Sequence, residues 1–256
     1  IMPEVNEWQN RPLESVYPFV FMDAIHYKVK ENHQYITKAA YVVLGINMEG
    51  SKDILGIWIG EHESSKFWLN VLTELKSRGV RDVYLFCVDG LTGFREAIEA
   101  VYPNAGIQRC IIHQIRYSTR FVSYKDIKEL MADLKLVYTA VTEDEALHNL
   151  MSFKEKWSKS YPSCVKTWED NWDILSTFFA YPAEIRKIIY TTNIIEGLNR
   201  QFRQITKNKP SFTNDESLRK MLYLASKNIV KRWTQRCRNW DVVLNYLKVM
   251  FEDRTA

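Results

Sequence analysis

The stretch Val83-Tyr84-Leu85-Phe86-Cys87-Val88-Asp89-Gly90 decides the fold. Six consecutive apolar residues closed by Asp-Gly fit a strand buried on both faces. Before it, Ser64 to Arg78 sets Phe67, Leu69, Val71, Leu72 and Leu75 at helical spacing, and Gly79 stops the pattern. After it, Phe94 to Val101 is helical, Pro103 ends that helix, and Gly106 to Cys110 predicts a short strand. Toward the N-terminus the period changes. Phe19-Val20-Phe21-Met22 is another continuous apolar run and passes into the alternating Ile25-His26-Tyr27-Lys28-Val29-Lys30. Glu31 to Gln34 makes a polar turn, Ile36 to Asn47 a second strand, Met48 to Ser51 a turn, and Ile54 to Ile59 a third strand. Connections this short imply an antiparallel meander. A meander followed by helix, strand, helix and strand predicts an α/β fold, a mixed sheet with helices on its faces.

The rest of the chain is helical in pattern. From about Ile115 to Pro182 it is rich in tryptophan and reads as an α-helical insertion. Thr192 to Lys207 is an amphipathic helix with Ile195, Leu198, Phe202 and Ile205 along one side, closed by Pro210. Further helices span about Leu218 to Trp233 and Trp240 to Phe251. The expected organisation is a core first part at 1–114, a helical insertion at 115–185, and C-terminal core helices at 186–256.

Composition narrows the class. Apolar residues make up 46% of the 256, enough for a substantial core, and charged residues 26%. The first residues are polar and carry Pro3 and Pro12, unlike a signal peptide, and the longest apolar runs, such as Ala39 to Ile46, are far too short to span a bilayer. Four scattered cysteines make poor material for a disulfide framework and suit a reducing cytosol. A cytoplasmic protein with no membrane partner is expected. The net charge of +4 hides a segregation. Residues 185–238 hold 13 Lys and Arg against three acids, a balance of +10, which leaves the remainder at −6. A basic C-terminal quarter on an acidic body suggests a local polyanion-binding face; the plainer reading is a set of solvated helix faces.

Two carboxylates stand where carboxylates are expensive. Asp23 ends a strand of Phe, Val and Met, and Asp89 ends Val83–Val88. If these strands are central neighbours, the two acids lie side by side, and a divalent cation is the usual way to keep both ionised. A strand-end cap for Asp23 and a turn residue for Asp89-Gly90 remain the structural alternatives. Glu196 is the candidate third ligand, with Arg200, Arg203 and Lys207 following it along the helix; it equally fits a capping pair with Asn193, at the third helical position. Arg186, Lys187, Arg200, Arg203, Lys207 and Lys209 form a candidate phosphate-contact set. Trp168 and Trp172 either stack on an unpaired base or pack helices together. Cys110-x-x-His113 is half of a zinc pattern without its other half, and a buried Cys beside a hydrogen-bonded His is the plainer reading. His26 and His62 have no interpretable context, and nothing supports a cysteine nucleophile.

The stretch DGLTGFREAIEAVYPNAGIQRCIIH, Asp89 to His113, closely resembles the signature of the Mutator-type transposases, including those of bacterial insertion sequences. Asp89, Gly93-Phe94, Val101-Tyr102-Pro103, Ala105, Gln108, Cys110 and His113 carry the match. Asp23 in FMDAIH and Glu196 in TTNIIEGLNRQFR stand where that family has its first and third catalytic acids, and the likeness runs from about Pro12 to Phe251. The resemblance implies a ribonuclease-H-like fold with a helical insertion between the second Asp and the Glu. It also implies a transposase in which Asp23, Asp89 and Glu196 hold divalent metal, Mg2+ with Mn2+ able to substitute. Two ions about 3.5–4 Å apart serve in-line phosphoryl transfer: water cleaves the strand at the transposon end, and the freed 3′-hydroxyl attacks target DNA. The partners are then terminal inverted repeats and target DNA, with a homodimer on DNA, in a bacterial cytoplasm and at the nucleoid. Complete family members carry an N-terminal DNA-binding region before this core, so the chain is expected to be a fragment or a shortened relative. Two other classes fit the same acids or the same charge: a nuclease or resolvase without strand transfer, and a domesticated DNA-binding protein without catalysis.

Overall fold

The computed structural model describes residues 1–60, 64–90, 93–190 and 193–254. His62, and Thr192 at the predicted start of the Glu196 helix, lie outside them. Five strands form one sheet: β1 (Val16–Glu31), β2 (Gln34–Ile46), β3 (Lys52–Gly60), β4 (Asp82–Val88) and β5 (Gly106–Arg109). The order is β3-β2-β1-β4-β5. β1 pairs antiparallel with β2 and parallel with β4, and β2 pairs antiparallel with β3. This is the mixed sheet, part antiparallel and part parallel, that the sequence predicts. The turn between β1 and β2 is only Asn32-His33, both at positive φ (47° and 65°), as a two-residue hairpin requires.

The chain divides into two compact units, Ile1–Ile107 with Thr192–Ala256, and Gln108–Thr191. In the first unit, α2 (Ser65–Ser77) and α3 (Phe94–Val101) cover one face of the sheet. Ser64 caps α2 by accepting the Phe67 N–H. Their Trp68, Leu72 and Phe94 pack with Val20, Met22 and Phe86 of β1 and β4. Trp68, rather than the expected Leu69, belongs to the buried stripe of α2; Leu69 is 39% exposed. The other face of β1 meets α10 (Asn193–Thr206), while α12 (Trp240–Met250) sets Trp240 edge-on to Phe19. Gly50, at φ 81°, lets that indole lie on the β2–β3 turn, where a Cβ would stand 2.4 Å from the ring. The polar first residues, where the sequence marks no element, form α1 (Met2–Asn10), with Pro3 in its first turn. Val5 is buried, and Trp8 lies 5.5 Å from Tyr223 of α11 (Asp215–Val230).

The second unit is helical: α4 (Ile111–Ser118), α5 (Tyr124–Tyr138), α6 (Glu143–Trp157), α7 (Pro162–Glu169), α8 (Trp172–Leu175) and α9 (Ala183–Ile189). Leu130, Leu134, Leu150, Phe153 and Trp168 are buried in it. All four cysteines are free thiols. No helix among the described residues is long and apolar enough to cross a membrane.

Candidate active site

β1 and β4 are adjacent and parallel, in a register that ends with Met22 opposite Val88. The next residue along the chain is an acid in each case, Asp23 within β1 and Asp89 just past the end of β4. Asp23 and Asp89 therefore stand side by side, with carboxylate oxygens no more than 4.8 Å apart. Asp23 is only 7% exposed and Asp89 half-buried. Two carboxylates this close repel, and the repulsion grows where water is excluded, so a cation or a shared proton stabilises the pair. Hard oxygen donors on a rigid sheet are the donor set that Mg2+ takes. Asp89 Oδ1 accepts the Gly90 N–H at 2.7 Å, the local bond of an Asp-Gly turn. The turn reading of Asp89-Gly90 is thus present in the structure. Gly93, which begins α3 just beyond, has φ 80°, and a Cβ there would fall 2.5 Å from the Ser65 backbone N. Only glycine lets the chain leaving Asp89 pass this close to α2.

Asp23 is fixed at both oxygens. Its Oδ1 accepts the Ala24 N–H at 2.8 Å, and its Oδ2 accepts Nδ2 of Asn199 at 2.6 Å. Asn199 belongs to α10 and is fully buried. It was missed because apolar spacing alone assigned the buried side of that helix to Ile195, Leu198, Phe202 and Ile205. Ile205 is instead 44% exposed, and Asn199 and Thr206 complete the inward stripe. The signal was available: Asn199 stands four residues after Ile195 and three before Phe202, and a polar residue in an apolar phase is informative.

Glu196 lies on the same helix one turn earlier and is half-buried. Its carboxylate does not join Asp23 and Asp89 within their 4.8 Å spacing. Among the described residues α10 runs from Asn193, with Glu196 in its first turn.

The candidate DNA contacts separate into two kinds. Lys187, Arg200, Arg203, Lys207 and Lys209 are exposed. Arg186 is committed to its own unit: its guanidinium donates to the carbonyls of Tyr181 (2.6 Å), Phe179 (2.8 Å) and Val141 (3.0 Å). Trp168 is buried at 1%, and its indole N–H donates to Ser118 at 3.1 Å. It is a packing residue, and no face is open to a base. Trp172 is half-buried, with its N–H directed to Glu143 at 3.2 Å. Cys110 is buried at the start of α4, and His113, one turn on, has Nε2 3.5 Å from the Arg116 guanidinium. No cysteine joins a metal-ligating cluster among the described residues.

Residues 1–236 match the family model described as "Transposase, Mutator family". A transposase for the insertion sequence element ISRM3 from Rhizobium meliloti is 43% identical over 255 residues, which is 99% of this chain and 64% of that protein. A probable insertion-sequence transposase from Corynebacterium diphtheriae is 40% identical over 276 residues, covering all of this chain and 80% of that protein. The chain thus spans less than two thirds of the Rhizobium relative. A solved chain of the Drosophila P element transposase strand transfer complex aligns over 96% of this chain and 69% of its own length, at 13% identity and a TM-score of 0.33, too low to add to the assignment.

Proposed function

This chain belongs to the Mutator family of transposases, and on that footing we propose that it performs the strand chemistry of transposition: divalent-metal-dependent cleavage of DNA at the ends of a mobile element, then joining of the freed end to target DNA. The observation that carries this reading is the side-by-side placement of Asp23 and Asp89 on adjoining parallel strands, within 4.8 Å. Two magnesium ions, with manganese as a substitute, supply charge neutralisation at phosphorus and activation of the attacking oxygen when bound. Asp23 and Asp89 hold them, and Glu196, carried by the helix that touches Asp23, completes the acid set. The exposed Arg200, Arg203, Lys207 and Lys209 run on from Glu196 and bind the phosphates of the strand. Two ends must be paired for joining, so the working form on DNA is a dimer.

The test is a metal-dependent cleavage and joining assay on terminal inverted repeats, run with this chain and with a full-length relative. Asp89→Asn keeps the wild-type melting profile and loses cleavage by more than the roughly 100-fold that removing an outer partner of a metal ligand costs. A folded Asp89→Asn protein that still cuts and joins ends removes the assignment. Cutting of repeats without joining of a pre-cut end replaces transposase by nuclease.

A further inference from the structure

Asn199 is buried at 0% exposure and directs one donor to one acceptor, Asp23 Oδ2, at 2.6 Å. Its amide orientation is fixed by that contact, since an amide oxygen facing a carboxylate would be repelled. The other end of the amide is then stranded: Oδ1 is buried and has no hydrogen-bond partner among the described residues. A buried acceptor left unsatisfied costs about 1–3 kcal/mol. A leucine of similar size, in an inward stripe that already holds Leu198 and Phe202, avoids that cost but takes the donor away from Asp23 Oδ2. The amide is therefore kept for what it gives that carboxylate. What the amide supplies is a neutral donor. Lysine or arginine at this position would hold the carboxylate equally well, but would place a positive charge where the acid pair has to take a cation.

The structure assigns Asn199 as the positioning residue of the metal site: its amide fixes the rotamer of Asp23, so that the carboxylate presents its remaining lone pairs beside Asp89. This rests on the reading of Asp23 and Asp89 as metal ligands. The Ala24 N–H holds Oδ1 of Asp23 from its own strand, and Asn199 holds Oδ2 from α10. Together they stop the carboxylate from rotating about its terminal bond, which is otherwise a soft torsion. The bond also ties two acids to each other. Glu196 and Asn199 are three residues apart on α10 and share a helix face, so the contact that orients the first acid sets the height of the third along the sheet. Ligating carboxylates elsewhere are themselves hydrogen-bonded, and loss of such a partner weakens metal binding about 10–100-fold.

Titration calorimetry with Mn2+ alone on the whole chain, without DNA, reads this directly, beside thermal melts of the metal-free proteins. Wild type binds Mn2+, and Asp89→Asn abolishes that binding. Asn199→Leu melts within a few degrees of wild type and binds Mn2+ about 10–100-fold more weakly. A purely structural role reverses the pattern, lowering the melting temperature and leaving affinity unchanged. A folded Asn199→Leu protein with wild-type Mn2+ affinity overturns the inference and leaves the acid pair standing. If Asn199→Leu does not fold, Asn199→Ala takes its place; failure of both to fold overturns it too, because the amide is then needed for the fold. Absence of Mn2+ binding by the wild-type chain removes the metal-site reading itself, and this inference with it.

Discussion

Among single residues, charge type predicts less than the partners a side chain already has. Arg186 and Arg200 are both basic and near Glu196 in the sequence, yet only Arg200 is exposed. Arg186 spends its donors on three carbonyls and lies over the Phe179 ring at 5.4 Å. Arg186→Ala is therefore a stability variant: it lowers unfolding free energy by about 2 kcal/mol, because charged hydrogen bonds are lost to carbonyls that then need water. Its DNA affinity at each salt concentration stays that of wild type, provided the protein is kept below its melting range. Chemical denaturation beside fluorescence anisotropy on a short duplex separates the two effects, and a weakened, less salt-sensitive Arg186→Ala would return it to the contact set. Asp23 and Asp89 stood out in the sequence because each closes a continuous apolar run, although Asp23 proves to lie inside β1, which runs on to Glu31, and not at a strand end. Asn199 was also visible in principle, as a polar residue in an apolar phase. The fates of Trp168 and Arg186 were not legible, since both depend on which long-range partners the fold provides.

Elements were easier to read than residues, and for a physical reason. Strand and helix periods are local, so β1 to β4, α2, α3 and α10 could be drawn from spacing, and the antiparallel pairing of β1, β2 and β3 followed from connection length. α1 escaped because its stripe is short, Val5 and Trp8 one turn apart, and its burial is supplied by α11 and β3 from far along the chain. The junction between β4 and α3 shows what spacing does not reveal. Gly93 looks like an ordinary helix-start glycine, yet it has positive φ and touches the α2 backbone. Gly93→Ala adds both left-handed strain and a clash, costing about 1–3 kcal/mol. Because that strain falls four residues beyond Asp89, cleavage falls further than stability does. Comparing the denaturation midpoint with the cleavage rate at saturating Mg2+ checks this. Equal, small losses in both would mean that the junction does not hold Asp89 in place.

Across the whole molecule, the segregation of charge carries the functional argument. A net charge of +4 over 256 residues is too small to bind DNA by general attraction. The +10 within residues 185–238 concentrates that capacity in one run, and five of the six proposed contacts there are exposed. Each phosphate neutralised releases condensed counterions, and contributes about 0.9 to the slope of log affinity against log salt. With Arg200, Arg203, Lys207 and Lys209 all engaged, that slope is about −3.6 for duplex DNA. The double variant Lys207→Ala with Lys209→Ala loses about two from its magnitude, while Lys248→Ala, an exposed lysine on α12 outside the run, changes it little. Anisotropy titrations between 50 and 300 mM salt, about the range where such slopes are linear, decide between the two arrangements. If every lysine counts equally, the protein binds DNA through diffuse charge, and the run beside Glu196 is a solvated surface. If only the run counts, the strand is held along the same helix that carries Glu196 and touches Asp23. The scissile phosphate is then delivered to the acid pair by the element that also orients it.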